Sequence, residues 1–257
     1  MNDELRPSPE ERLTPINERL TLLSRRRGLT FGTDSYLLAA FVRAVPSGTA
    51  VELGGGTGVV SLLCLAREKF RRILSAEIQP AYASLIRRNA ALNGFPDRLD
   101  AWEGDVRELG VRETGGEVHA VFSNPPYLRA GSGFVSDADE MNAARREENG
   151  TIRDFALAAS RILRWGGCFT VVYRPDRLTE LLVSLREANL EPKRMVFVHP
   201  TPASPPSLVL VEAKKGAAEG LVTARPLVIS PDDPGGVYTS DMQAIYDDFT
   251  LSHLFND

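Results

Sequence analysis

The chain has 257 residues, a net charge of −4, and 43% apolar against 25% charged residues, the balance of a globular protein with room for one large domain. No apolar run reaches the ~18 residues needed to span a bilayer, and the polar start Met1-Asn2-Asp3-Glu4 lacks the features of a secretory signal. The negative balance argues against broad, non-specific nucleic-acid binding but leaves room for local basic patches.

Residues 1–13 are polar and proline-bearing and read as a flexible N-terminus. Residues 14–47 read as a hairpin and helix extension. Leu20-Thr21-Leu22-Leu23 is a predicted strand, the segment 28–31 its hairpin partner, and the triplet Arg25-Arg26-Arg27 lies between them. Thr33 or Asp34 caps a predicted helix over 35–45, which Pro46 ends. The core, 48–215, alternates. Strands are predicted over 50–53, 73–77, 99–102, 118–122 and 168–173, and helices over 59–67, 80–92, 152–163 and 178–187. Asn93-Gly94 and Trp165-Gly166-Gly167 serve as helix stops. This order predicts an α/β fold with a doubly wound, seven-stranded, mostly parallel sheet. Two further strands, 194–199 and 208–213, are too close for a crossover helix and predict an antiparallel hairpin at its edge. Residues 216–257 form a C-terminal extension packed on the core, with a short helix over 240–249. Cys64 and Cys168 lie in apolar segments without metal-ligand spacing and read as core thiols of a cytoplasmic protein. His119, His199 and His253 are scattered and read as structural, so no metal is expected.

Three local patterns carry chemistry. The first is Glu52-Leu53-Gly54-Gly55-Gly56-Thr57-Gly58, where a strand enters a glycine-dense turn before a helix. Such a turn lets the backbone approach a ligand beside the orphan N–H groups of the helix start. The second is Glu77 at the end of the next strand, where a carboxylate can accept both ribose hydroxyl hydrogens of a nucleoside. The third is Asn124-Pro125-Pro126-Tyr127 after the apolar run 118–122. The prolines fix the backbone and remove two donors, which leaves carbonyls and the Asn124 side chain as acceptors for a planar amino group, with the Tyr127 ring to stack on it. The long connection from Asn124 to Ile152 reads as a substrate lid. Among the basic clusters, Arg25-Arg26-Arg27 and Arg145-Arg146 flank this predicted site and are the candidates for a local nucleic-acid contact.

Together these residues resemble the S-adenosylmethionine-dependent class I methyltransferases, in the branch that modifies amino groups. Phe31-Gly32-Thr33-Asp34, the segment 143–147, Arg174-Pro175-Asp176-Arg177-Leu178, Glu191-Pro192-Lys193-Arg194, His199-Pro200 and Tyr238-Thr239 are similar to the tRNA1(Val) (adenine-37-N6)-methyltransferase family, a likeness that covers roughly 14–250. The chain departs from that family's pattern at Arg146, where the pattern has His, and at Gly55, where Cys, Ala or Thr is more common. The resemblance implies S-adenosylmethionine as cofactor, S-adenosylhomocysteine as product, and an adenine N6 in RNA, adenosine 37 of a valine tRNA, as acceptor. It places Gly54, Gly56 and Gly58 against the methionine part, with Glu52 orienting that loop or the amine end. It puts Glu77 on the ribose, Asp105 and the Val106 N–H on the adenine, and Thr33 over the methionine end. Asn124, Pro125 and Tyr127 then hold the target base. No obligate protein partner or membrane contact is implied, and the oligomeric state stays open. A glutamine N5 or guanine N2 acceptor would fit the same clamp. A nicotinamide-dependent oxidoreductase, or a catalytically silent RNA-binding module, would share the glycine turn but leave the Asn-Pro-Pro-Tyr unused.

Overall fold

The computed structural model describes residues 6–27, 31–125, 150–232, 236–248 and 250–255. Among them a single sheet of nine strands organises the chain. In chain order these strands are β3 (Val45–Leu53), β4 (Phe70–Glu77), β5 (Leu99–Glu103), β6 (Val118–Ser123), β7 (Leu163–Tyr173), β8 (Leu190–His199), β9 (Leu208–Lys215), β10 (Val222–Thr223) and β11 (Leu227–Val228). They lie side by side as β10-β8-β9-β7-β6-β3-β4-β5, with β11 also on β8. All pairs are parallel except β7 with β9 and β8 with β9. The seven long strands are those expected from the sequence. The sheet is larger by β10 and β11, two residues each, too short to show a period of their own.

Both faces of the sheet are covered, as a parallel sheet requires. On one face lie α1 (Thr33–Phe41), α2 (Val59–Ala66), α3 (Pro80–Leu92) and α6 (Ser240–Asp248), packed through Leu37, Leu62, Ile86 and Met242 onto Ala50 and Phe122. On the other lie α4 (Ile152–Ile162) and α5 (Leu178–Glu187), packed through Phe155, Ala159 and Leu181 onto Val51 and Val121. Neighbouring residues of β3 and β6 thus serve opposite cores, the alternation a strand imposes. α4 opens on a capping box, the Thr151 hydroxyl accepting from the Asp154 N–H while the Asp154 carboxylate accepts from the Thr151 N–H. The chain leaves α4 straight into β7 at Leu163, and Gly166 sits inside that strand at φ +75°, so Trp165-Gly166-Gly167 belongs to a strand and not to a helix stop. No described helix is long and apolar enough to cross a membrane.

The N-terminal hairpin differs from the sequence expectation. β2 (Thr21–Arg25) pairs antiparallel with β1 (Glu11–Pro15), from Glu11 opposite Arg25 to Pro15 opposite Thr21. Residues 11–13 are therefore in a strand. Arg25 stands at the open end of the hairpin, away from its turn. The expected partner, 28–31, falls largely outside the described residues. The free edge of β2 is satisfied by side chains. Asn89 accepts from the Leu23 N–H at 2.7 Å and donates to the Leu23 carbonyl at 2.9 Å. Asn93 does the same for Thr21 at 2.9 and 2.8 Å. Four residues of helix rise ~6 Å and two of strand ~6.7 Å, so two amides one turn apart mimic a third strand.

Candidate functional site

The register of the sheet brings the candidate residues together. Leu53 of β3 is level with Ala76 of β4 and Ser123 of β6, and the Ser123 hydroxyl donates to the Leu53 carbonyl at 2.7 Å. The next residue on each chain is then Gly54, Glu77 and Asn124. Glu77 is the last residue of β4, and Gly54 and Asn124 stand one step past the carboxyl ends of β3 and β6, where the strand order reverses. That switch point is where open α/β sheets form a ligand crevice. Glu77 and Asn124 flank β3 from either side, two strand spacings or ~10 Å apart.

The glycine turn is shaped by its backbone. Gly54, Gly56 and Gly58 have φ of +73°, +54° and +79°, values that L-residues with side chains rarely adopt. The Gly54 and Gly55 N–H groups donate to the Ala76 carbonyl at 2.9 and 3.1 Å. Gly58 is the N-cap of α2, and no side chain caps that helix. Gly55 has a different reason. A Cβ there would lie 1.8 Å from the Ser75 Oγ. The glycine at position 55 thus matches a hydroxyl that occupies the space. Asn89, fully buried, also donates to the Thr57 carbonyl at 2.9 Å.

Glu77 is 5% exposed. One oxygen accepts from the Gly56 N–H at 2.8 Å and the other from the Gln79 N–H at 2.9 Å, so the carboxylate props the turn. Burial pushes its pKa up, against the pull of these backbone bonds. Glu52 lies deeper, 2% exposed. The Ser61 hydroxyl donates to it in a short contact, and the Ser75 hydroxyl at 3.4 Å. Burial pushes the Glu52 carboxyl up to about 8, with the nearby Glu77 adding to the rise and the hydroxyls opposing it. Native Glu52 therefore holds a proton that the unfolded chain has released between its ordinary value and about 8, so this group's stabilising contribution falls as pH rises through that window. The thermal midpoint should drop by roughly 5–10 °C from this group between about pH 5 and 8, and Glu52→Gln should flatten the profile. Equal slopes in both proteins would contradict a buried, protonated Glu52.

Asp105 follows β5 and is partly exposed. Its carboxylate accepts from the Arg107 N–H at 2.9 Å and pairs with the Arg107 guanidinium at 3.0 Å, and that guanidinium holds its pKa below the ordinary range. Asp105 is thus a turn-forming residue whatever else it contacts. Val106 is buried behind it. Asn124 is half-buried and Pro125 buried. The Asn124 amide nitrogen donates to the Asp34 carboxylate at 2.8 Å. This contact, across 90 residues, went unseen in the sequence, where Asp34 read as a helix cap and, with Thr33, as a cover for the methionine end. With the nitrogen so engaged, Oδ1 is the amide's acceptor end, and no described residue donates to it. Tyr36 of α1 packs edge-on against Tyr246 of α6 with ring centroids 4.8 Å apart, so the C-terminal helix packs on the helix that begins at Thr33. Pro126, Tyr127, Arg145 and Arg146, with the expected lid, lie outside the described residues.

Arg25, Arg26 and Arg27 line a cavity of about 420 Å³ with Pro9 and Glu10. Arg25 lies 3.7 Å from Glu10, and Arg26 donates to the Pro9 carbonyl at 3.2 Å. Burial pushes the Cys64 thiol up to about 12 and that of Cys168 to about 11, as befits core thiols.

No family model matches the chain. It is 28% identical over 187 residues to a tRNA1(Val) (adenine(37)-N6)-methyltransferase of Porphyromonas gingivalis, covering 70% of this chain and 72% of that protein. It is 26% identical over 235 residues to the protein of the same name from Phocaeicola vulgatus, covering 91% and 96%. Among solved structures, a predicted O-methyltransferase from Agrobacterium tumefaciens superposes with a TM-score of 0.68 at 24% identity, over 84% of this chain and 97% of that one. Geranyl diphosphate C-methyltransferase from Streptomyces coelicolor, in complex with S-adenosyl-L-homocysteine, gives 0.52 at 14% identity, over 71% and 78%. The chain therefore has the Rossmann-like fold of the class I methyltransferases, and the curated relatives to which it is similar over most of its length are tRNA1(Val) (adenine(37)-N6)-methyltransferases.

Proposed function

We infer that this protein transfers a methyl group from S-adenosylmethionine to the N6 amine of an adenine in RNA, adenosine 37 of a valine tRNA, in the cytoplasm. The observation that carries this is Asn124 standing level with the Gly54 turn at the switch point, its nitrogen held by Asp34 and its oxygen left to accept. The named relatives supply the acceptor.

The residues present fit an adenosyl cofactor. The glycine turn at positive φ admits a close backbone approach, α2 begins without a side-chain cap, and Glu77 presents a carboxylate beside the turn. In this reading Gly54, Gly56 and Gly58 take the methionine part, Glu77 the ribose, Asp105 and the Val106 N–H the adenine, Thr33 covers the methionine end, and Glu52 orients the turn or the amine end. The cofactor, when bound, supplies an electrophilic methyl on a cationic sulfur. What remains for the protein is placement and charge. An adenine amine is a weak nucleophile because its lone pair is delocalised into the ring. The Asn124 Oδ1 and the Pro125 carbonyl accept its two hydrogens, favour a pyramidal nitrogen and aim its lone pair. Alignment of this kind can supply ~7–11 kcal/mol of barrier reduction. The same oxygens stabilise the positive charge that grows on the nitrogen, whose extra proton then leaves to water. Tyr127 stacks on the base, which must be unpaired or flipped to reach the crevice.

The test is a transfer assay with labelled methyl donor on total tRNA, rRNA and protein fractions, followed by nucleoside analysis. Label in tRNA as N6-methyladenosine is expected, and label in protein glutamine or guanine N2 would displace this reading. The Arg25–Arg27 cluster, with Arg145 and Arg146, is assigned to the RNA backbone. Reversing Arg25, Arg26 and Arg27 to Glu should weaken tRNA binding and reduce the slope of log affinity against log salt by about 2. An unchanged slope would leave the triplet as a solvated strand end.

A further inference from the structure

Asn89 and Asn93 dock the N-terminal hairpin in the same way, each exchanging two hydrogen bonds with one residue of β2. They differ in the third. Asn93 donates to the Asn89 carbonyl within α3 at 2.8 Å. Asn89 donates to the carbonyl of Thr57, inside the glycine turn, at 2.9 Å. One fully buried amide thus spans β2 and the segment between Gly56 and Gly58, and its single NH2 serves both carbonyls. Without the hairpin, water would reach Asn89. Without Asn89, the Thr57 carbonyl would lose a donor in a place that water cannot easily fill, between the two glycines that shape the turn.

We propose that Asn89 is a positioning residue through which the docked N-terminal hairpin sets the shape of the glycine turn, and with it the affinity for an adenosyl cofactor. The hairpin that carries Arg25–Arg27 and the turn that takes the cofactor are then joined through this one amide, at Leu23 and not at Thr21. The inference rests on the reading of Gly54–Gly58 as the cofactor turn.

The pair of asparagines supplies its own control. S-adenosylhomocysteine is titrated by calorimetry into the full-length wild type, Asn89→Ala and Asn93→Ala. Each variant loses two hairpin bonds and one other, and only Asn89→Ala loses the bond to the turn. The expected result is a Kd about ten-fold weaker in Asn89→Ala and within about two-fold of wild type in Asn93→Ala. Equal affinities in the two variants would overturn the proposal. Failure of the wild type itself to bind would instead remove the cofactor reading beneath it. Should Asn89→Ala not fold, hydrogen exchange on the wild type decides the matter. Saturating S-adenosylhomocysteine should slow exchange of the Leu23 N–H, held by Asn89, several-fold more than that of the Thr21 N–H, held by Asn93. Equal slowing would overturn the proposal.

Discussion

Asn124→Ala should lower turnover by about 10²- to 10³-fold while leaving S-adenosylhomocysteine affinity within about three-fold of wild type. The truncation removes the oxygen that accepts from the amine and leaves the Asp34 carboxylate without its 2.8 Å donor. It touches neither the glycine turn nor Glu77. Asn124→Asp is the sharper comparison. It keeps an acceptor oxygen, so on acceptor count alone it should work. In this site, however, the second oxygen would face the Asp34 carboxylate, and two like charges at hydrogen-bond distance repel or share a proton. Turnover of Asn124→Asp should therefore stay at least ~10²-fold down. Near-normal turnover in that variant would show that the amide nitrogen is not anchored as described. Loss of cofactor binding in Asn124→Ala would contradict the division of labour between β6 and β3.

Glu77→Ala should give the opposite profile, with cofactor affinity down by about 10²-fold or more and turnover at saturating cofactor close to wild type. Two bonds from backbone N–H groups to a carboxylate are lost with the side chain, and bonds to charged groups contribute ~1.5–3 kcal/mol each. The ribose loses its acceptor, and the Gly56 N–H, which fixes the turn, loses its partner. Glu77→Gln should fall between the two, because its amide can still accept one of these bonds while its NH2 opposes the other. Isothermal titration paired with single-turnover kinetics separates the two residues. If Glu77→Ala bound S-adenosylhomocysteine as the wild type does, the ribose would have to be held elsewhere.

What could be read from the sequence follows the range of the interactions. Strand and helix order in the core came from local periodicity and glycine stops, and held to within a few residues at most ends. The glycine turn, Glu77 and Asn124 were legible because each is a short motif at the end of a strand. The partner of β2 was not, because β1 is an exposed edge strand, Glu11–Pro15, whose mixture of charges and proline carries no alternating signal. Nor was the other edge of β2, which is paired by side chains from a helix some 70 residues away. Asp34 shows the same limit. As a residue at a helix start it satisfied a local rule, and its contact with Asn124 exists only once α1 is folded against the end of β6. The start of β7 was misread because a glycine at positive φ looks alike in a helix stop and inside a strand.

The close approach of Gly55 to Ser75 carries a consequence for how this chain can diverge. A methyl group at position 55 collides with the serine oxygen, whereas removing that oxygen first leaves only tight contacts of 3.1 and 3.2 Å to Ile86 and to the Ser75 Cβ. A mutational path from Gly55 toward a larger residue is thus directional. It passes through Ser75→Ala and then Gly55→Ala, and the reverse order crosses a steric barrier that purifying selection would close.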